Sequence, residues 1–193
     1  MIIAPGIHLY DDVLIDSKSI MEDIEDAVEK KILNWYRAGV ESGSGDTVNA
    51  NIRDTYSIGV PFNINSVPSG MYEESMHFLN KYFCEGFSPL ISKYLNEYKI
   101  DINEYQNYEI LKYGAGQKFD EHVDSSDAYP RKVSLTYYAN DDYTGGEIEF
   151  TRFNLKIKPK PHQLLLFPSH AEYAHKVHPV IDGTRYAVVQ WMN

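Results

Sequence analysis

The sequence predicts a mainly β protein whose amino-terminal half is helical and whose strands close into a sandwich or barrel. Three observations carry this. Apolar residues recur at helical spacing from Ile20 to Trp35 and again from Met71 to Leu95. After Asn103 the pattern changes to short apolar runs divided by turn residues, as in an all-β core. The chain has 193 residues, 43% of them hydrophobic and 24% charged, which suits one domain with a substantial core. We divide that single domain, 1–193, into a helical support region over about 1–103 and a β core over about 104–193.

In chain order, G-I-H-L-Y-D-D-V-L (6–14) suits a short strand ending in an acidic turn, with Asp16 or Ser17 capping the helix that follows. That helix is expected over 17–37, with Ile24, Ala27, Val28, Ile32 and Trp35 on its buried stripe. Residues 38–52 hold three glycines and no periodicity, which reads as a long polar loop. A strand is expected over 53–60. Residues 69–98 read as one long helix or two, since Gly86 and Pro89 suggest a break. Further strands are expected at 105–113, 133–139, 146–151, 154–158, 163–167, 175–180 and 184–192.

A net charge of −10 argues against nucleic acid as the main partner, because phosphate binding needs clustered Lys and Arg. Cys84 is the only cysteine, so no disulfide can form within the chain and a reducing compartment is favoured. The amino terminus lacks the basic and apolar regions of a signal peptide, and no apolar run approaches a membrane span. The expectation is a soluble, cytoplasmic protein.

Chemistry enters at Y-G-A-G-Q-K-F-D-E-H-V-D, from Tyr113 to Asp124. In extended backbone His122 and Asp124 point to the same face, so an imidazole nitrogen and a carboxylate oxygen can reach one ion. Without thiolate, that donor set suits Fe(II), Mn or Zn. A third ligand should come from downstream, where His162, His170, His175 and His178 are available. His162 and His170 read as turn and loop residues at the surface, and His77 as a packed or surface residue of the long helix. A tight Asp182-Gly183 hairpin would pair Val180 with Arg185 and set His178, not His175, on the Arg185 face. Pro179 cannot donate to the ladder, and a bulge there would reverse that order. On residue pattern alone both histidines stay open.

Four motifs in this order, Y-G-A-G-Q-K-F-D-E-H-V-D, G-G-E-I-E-F (145–150), L-L-L-F-P-S (164–169) and H-K-V-H-P-V-I-D-G-T-R-Y (175–186), resemble the 2-oxoglutarate and Fe(II)-dependent oxygenases. The similarity is closest to the prolyl 4-hydroxylase-like branch and covers roughly 105–192. It implies a double-stranded β-helix, a jelly-roll relative. It also implies His122, Asp124 and His175 as metal ligands and Arg185 as the residue pairing with the far carboxylate of 2-oxoglutarate. Tyr138 matches the position of a tyrosine on that same carboxylate. Tyr113 and Trp191 match positions lining the cosubstrate and substrate sides of the pocket.

The residue types suit that chemistry. Two His and one carboxylate occupy one face of an octahedral ion and leave places for a chelating cosubstrate and O₂. A guanidinium offers a carboxylate a planar, two-toothed fork. The resemblance therefore implies a dioxygenase using Fe(II), 2-oxoglutarate and O₂, with ascorbate as a candidate reductant, acting on a prolyl residue of a peptide or protein. Rival readings are the same chemistry on a free amino acid or other small molecule, a non-catalytic metal-binding interaction module, and a zinc hydrolase. Loop 38–52 is the candidate lid.

Overall fold

The computed structural model of the chain describes residues 1–193 except 15, 43–44, 64 and 66–69. Its elements in order are β1 (Ile2–Ala4), β2 (Ile7–Tyr10), α1 (Ser17–Glu29), β3 (Tyr36–Arg37), β4 (Val40–Ser42), β5 (Gly45–Thr47), β6 (Tyr56–Val60) and α2 (Met71–Tyr98). The β half continues with β7 (Tyr108–Tyr113), β8 (Phe119–His122), β9 (Val133–Tyr138), β10 (Thr144–Gly145), β11 (Ile148–Phe150) and β12 (Leu155–Ile157). β13 (Gln163–Pro168), β14 (His175–Val177), β15 (Val180–Asp182) and β16 (Arg185–Met192) complete it.

Among the described residues an eight-stranded sheet in the order β1-β2-β13-β9-β16-β7-β6-β3 faces a four-stranded sheet, β12-β11-β14-β8. This is the expected mainly β architecture, two antiparallel sheets forming a jelly-roll core. The central strands read as continuous apolar runs, V-S-L-T-Y-Y in β9 and Q-L-L-L-F-P in β13, because both faces of the large sheet are covered. Alternation sends Tyr137, Val188, Ile110 and Leu164 toward the helices, in one core with Phe83, Phe87 and Ile24. The opposite parity, including Tyr138, Ala187, Leu165 and Phe167, packs against Ile148 and Phe150 of the small sheet.

Helix α2 is one unbroken element. Gly86 does not interrupt it, because a Cβ there would lie 2.3 Å from Leu14 Cδ2; the glycine makes room for a packed leucine. Phe87, fully buried, joins helix to sheet through Phe83, Tyr108 and Tyr137, with ring centroids 5.3–6.0 Å apart. Phe87→Ala is expected to cost about 3–5 kcal/mol of stability, read by denaturant unfolding, because it opens a cavity in this junction.

Three expectations are corrected. Helix α1 ends at Glu29, not 37: Lys31 is left-handed (φ 59), and the amides of Ile32 and Leu33 both return to the Ala27 carbonyl. Trp35 then packs on Tyr186, and Tyr36–Arg37 join the large sheet as an edge strand. Loop 38–52 contains a short antiparallel ladder, Val40 opposite Thr47, whose positions 43 and 44 lie outside the described residues, as does position 69 of the expected long helix. The Asp182-Gly183 turn does not pair β15 with β16. β15 pairs with β10, so Arg185 and the downstream histidines stand on different sheets and alternation along one ribbon does not relate them.

Candidate functional site

The site lies between the sheets. β8 and β14 pair with His122 opposite His175 and Phe119 opposite Val177, so β8 carries one extra residue across that interval. This bulge turns Phe119 and His122 to the same face although they are three apart in sequence. Their rings stack at 3.5 Å between centroids. Asp124 follows two residues after the strand, its Oδ1 3.6 Å from His122 Nε2 and its Oδ2 3.8 Å from His175 Nε2. Among the described residues, His122, Asp124 and His175 form a cluster whose donor atoms all lie within 4.8 Å of one another.

Hydrogen bonds orient both imidazoles and the carboxylate. His122 Nδ1 lies 2.8 Å from the Asp120 carbonyl and His175 Nδ1 lies 3.0 Å from that of Tyr173. A carbonyl only accepts, so each Nδ1 carries a proton and each Nε2 is left facing Asp124, the nitrogen that serves as a metal donor when unprotonated. Ser134 Oγ donates to Asp124 Oδ2 at 2.6 Å and lies 2.7 Å from Ser169 Oγ, which fixes the carboxylate. His178 turns elsewhere, its Nε2 2.6 Å from Glu149 Oε2. His162, expected at the surface, is half-buried, its Nδ1 3.1 Å from Ser17 Oγ and 3.0 Å from the Leu14 carbonyl. His170 is exposed beside Glu172, and His77 lies 3.6 Å from Glu73.

Burial pushes the His175 imidazole down to about 4, His122 adds to this, and Asp124 opposes it. Burial alone would raise the Asp124 carboxyl, but His175, His122 and the Ser134 hydroxyl together hold it well below the usual carboxylate range. In the metal-free protein the folded His175 resists a proton that the unfolded chain takes up near its ordinary 6.5. The unfolded state then binds more protons, so stability falls as pH drops from about 6.5 toward 4. Thermal unfolding of metal-free protein across that window is expected to show the loss, with a shallower slope in His175→Asn.

A second set of residues, Arg185 and Tyr113, lines the same cavity as the cluster. Arg185 opens β16 directly opposite Tyr113 of β7 and is 1% exposed. Its Cζ lies 4.9 Å from the Tyr113 ring centroid and 5.2 Å from that of Tyr138. Arg185 Nε, Tyr138 Oη and Tyr143 Oη are buried without a hydrogen-bond partner within the described chain. Buried polar groups are normally paired, so three orphans in one place mark a cradle shaped for a polar ligand. Gly146 (φ 65) is the spacer: a Cβ there would lie 3.0 Å from both Arg185 Cδ and Tyr143 Cε2.

Trp191 sits six residues along β16 from Arg185, about 20 Å away at roughly 3.3 Å per residue. The Arg131 guanidinium lies 4.0 Å above its ring. It faces an outer cleft of about 950 Å³ that begins at His122 and Asp124 and reaches Gly39, Val40 and Ile52 beside the β4–β5 ladder. Sequence reasoning missed Arg53, Phe119, Ser134 and Tyr143. Arg53 donates to the Gly39 carbonyl and to Glu109, and lies over the Phe119 ring at 5.0 Å. The place of Phe119 just before the H-x-D motif was a usable signal; the others needed the tertiary fold.

Comparison with known proteins finds similarity both in sequence and in fold. Residues 108–193 match the family model described as the 2OG-Fe(II) oxygenase superfamily. The fold is similar to that of a prolyl hydroxylase from Trichoplax adhaerens, solved in complex with a hypoxia inducible factor oxygen degradation domain peptide. The TM-score is 0.74 at 21% identity, over 97% of this chain and 83% of that one. A Pseudomonas putida prolyl-4-hydroxylase gives a TM-score of 0.70 at 17% identity, over 97% and 92%. A PKHD-type hydroxylase of Pseudomonas fluorescens is 35% identical over 91 residues, 41% of this chain and 39% of that protein. Prolyl 3-hydroxylase 2 of Homo sapiens is 41% identical over 66 residues, 32% of this chain and 9% of that protein. The chain thus spans less than half the length of these curated relatives. No helix among the described residues is long and apolar enough to cross a membrane.

Proposed function

We propose that the chain works as one domain, 1–193, and is an Fe(II)- and 2-oxoglutarate-dependent dioxygenase that hydroxylates a C–H bond, with a prolyl residue of a peptide or protein as substrate. The observation that carries this is that one cavity is lined by the His122–Asp124–His175 cluster and by Arg185, whose Nε has no hydrogen-bond partner among the described residues and whose guanidinium lies against Tyr138. The donor set fits Fe(II): two imidazoles oriented by Nδ1–H bonds to carbonyls and one carboxylate, gathered in one cluster. When bound, iron and 2-oxoglutarate supply oxidation of a C–H bond by O₂, with succinate and CO₂ released.

The chain's own residues would bind, orient and exclude water. His122, Asp124 and His175 would hold the metal. Arg185 presents its fork to the far carboxylate, and the Tyr138 hydroxyl, kept protonated by burial, donates to the same group. Tyr113 walls the cosubstrate end, and Leu111, Ala187 and Val189 keep it apolar. Without competing water the ion pair is stronger there. Trp191 stands on the substrate side. A peptide is favoured over a free amino acid by the outer cleft, which continues past the metal cluster to Gly39 and Ile52.

The test is succinate formation with Fe(II), 2-oxoglutarate, ascorbate and a proline-rich peptide, with mass spectrometry of the peptide. The proposal predicts succinate and a 16 Da gain on a prolyl residue, the mass of one added oxygen atom, about 16 by ordinary atomic weights. Succinate without peptide oxidation would remove the prolyl assignment and leave the cofactor reading standing.

A further inference from the structure

Tyr143 lies five residues beyond Tyr138 in a polar turn, and neither composition nor motif order singles it out. The structure gives it an unusual position. It is 5% exposed, and its ring packs in the cluster that holds Tyr113, Val180 and Trp191. Its hydroxyl, close enough to feel the Arg185 charge, ends in the protein interior without a hydrogen-bond partner of ordinary geometry among the described residues. A Cβ at Gly146 would crowd both its ring and the Arg185 stem, each at 3.0 Å. Lys158 Nζ sits 3.8 Å from the ring centroid and donates to the carbonyls of Tyr143 and Gly145, which fixes both backbone and ring. A buried hydroxyl left unpaired costs stability, and a phenylalanine would fill the same space without that cost. The hydroxyl is therefore explained by something that occupies the cavity.

We propose that Tyr143 is a binding residue for the far carboxylate of the cosubstrate, its Oη donating the third hydrogen bond beside Arg185 and Tyr138. This rests on the 2-oxoglutarate reading above. Arg185 lines the cavity that also holds the metal cluster, and Tyr138 and Tyr143 stand beside it. Each of the three offers a buried N–H or O–H donor without a hydrogen-bond partner among the described residues. A carboxylate has room for three donors on its two oxygens. Burial raises the Tyr143 pKa, so the phenol stays protonated and can donate at any working pH. Lys158 acts as a positioning residue: it holds the Tyr143 ring and backbone and does not itself reach the ligand.

The test is calorimetry on Mn(II)-loaded protein without turnover, with two probes, 2-oxoglutarate and 2-oxobutyrate, the second lacking the far carboxylate. Tyr143→Phe is expected to raise the Kd for 2-oxoglutarate about tenfold and to leave that for 2-oxobutyrate unchanged. The metal-free, ligand-free variant should melt at or above the wild-type temperature, because the orphan hydroxyl is gone. Equal 2-oxoglutarate affinity in variant and wild type would overturn the assignment. So would a lowered melting temperature with both probes weakened alike, since that is a purely structural role. Wild-type protein that does not distinguish the two probes would instead overturn the underlying reading that the cradle takes a dicarboxylate.

Discussion

Asp124→Ala is expected to abolish measurable Fe(II) or Mn(II) binding, a fall in affinity of at least about a hundredfold. Changing a residue that merely supports a ligand already costs about 10–100-fold, and here a ligand is removed. The geometry explains why no neighbour substitutes. Asp124 is the only carboxylate in the cluster among the described residues, and it touches both imidazoles. Without it, the two imidazoles, 4.3 Å apart between ring centroids, are left with no carboxylate beside them in the cluster. Asp124→Asn keeps the shape and loses the charge, so it should also fail to bind tightly. Calorimetry of metal into both variants checks this, and near wild-type affinity in Asp124→Ala would contradict it. Ser134→Ala, which removes only the 2.6 Å hydrogen bond to Oδ2, should weaken binding by about tenfold.

Arg185→Met is expected to raise the Kd for 2-oxoglutarate about a hundredfold while metal affinity stays the same. A hydrogen bond to a charged group contributes roughly 1.5–3 kcal/mol, and a buried fork makes two. Arg185→Lys should lose about tenfold, because the charge remains but the fork does not. The variant's own stability separates this role from a structural one. Arg185 makes no ion pair among the described residues, and its Nε is unpaired, so Arg185→Met should unfold at or above the wild-type temperature. Loss of metal binding in Arg185→Met would argue instead that the residue props up the β16 edge of the cavity.

What the residues reveal without a structure follows from how local the cause is. The strands of the β core were legible because their apolar runs are bounded by turn residues, and the long helix because its stripe runs from Met76 to Leu95. The end of α1 was not legible. Ile32 and Trp35 continue the helical spacing, but they are buried by a turned-back chain with Lys31 left-handed. The Asp182-Gly183 signal pointed to a hairpin between neighbours, and the chain instead pairs β15 with β10, nearly forty residues earlier. Local turn chemistry cannot select such a partner. The same limit hid the site's finer structure. His122 and Asp124 were visible as a spacing, whereas their meeting with His175 depends on a strand pairing and a bulge at β8. Tyr143 is an ordinary turn tyrosine until β10, β15 and β16 enclose it.

Anaerobic addition of Fe(II) and then 2-oxoglutarate to the metal-free protein tests the central claim most directly. If the cosubstrate chelates an iron held by His122, Asp124 and His175, a visible metal-to-ligand charge-transfer band appears only after both additions, and Asp124→Ala lacks it. Iron that binds tightly while 2-oxoglutarate produces no band, or a band that survives unchanged in Asp124→Ala, would contradict the account.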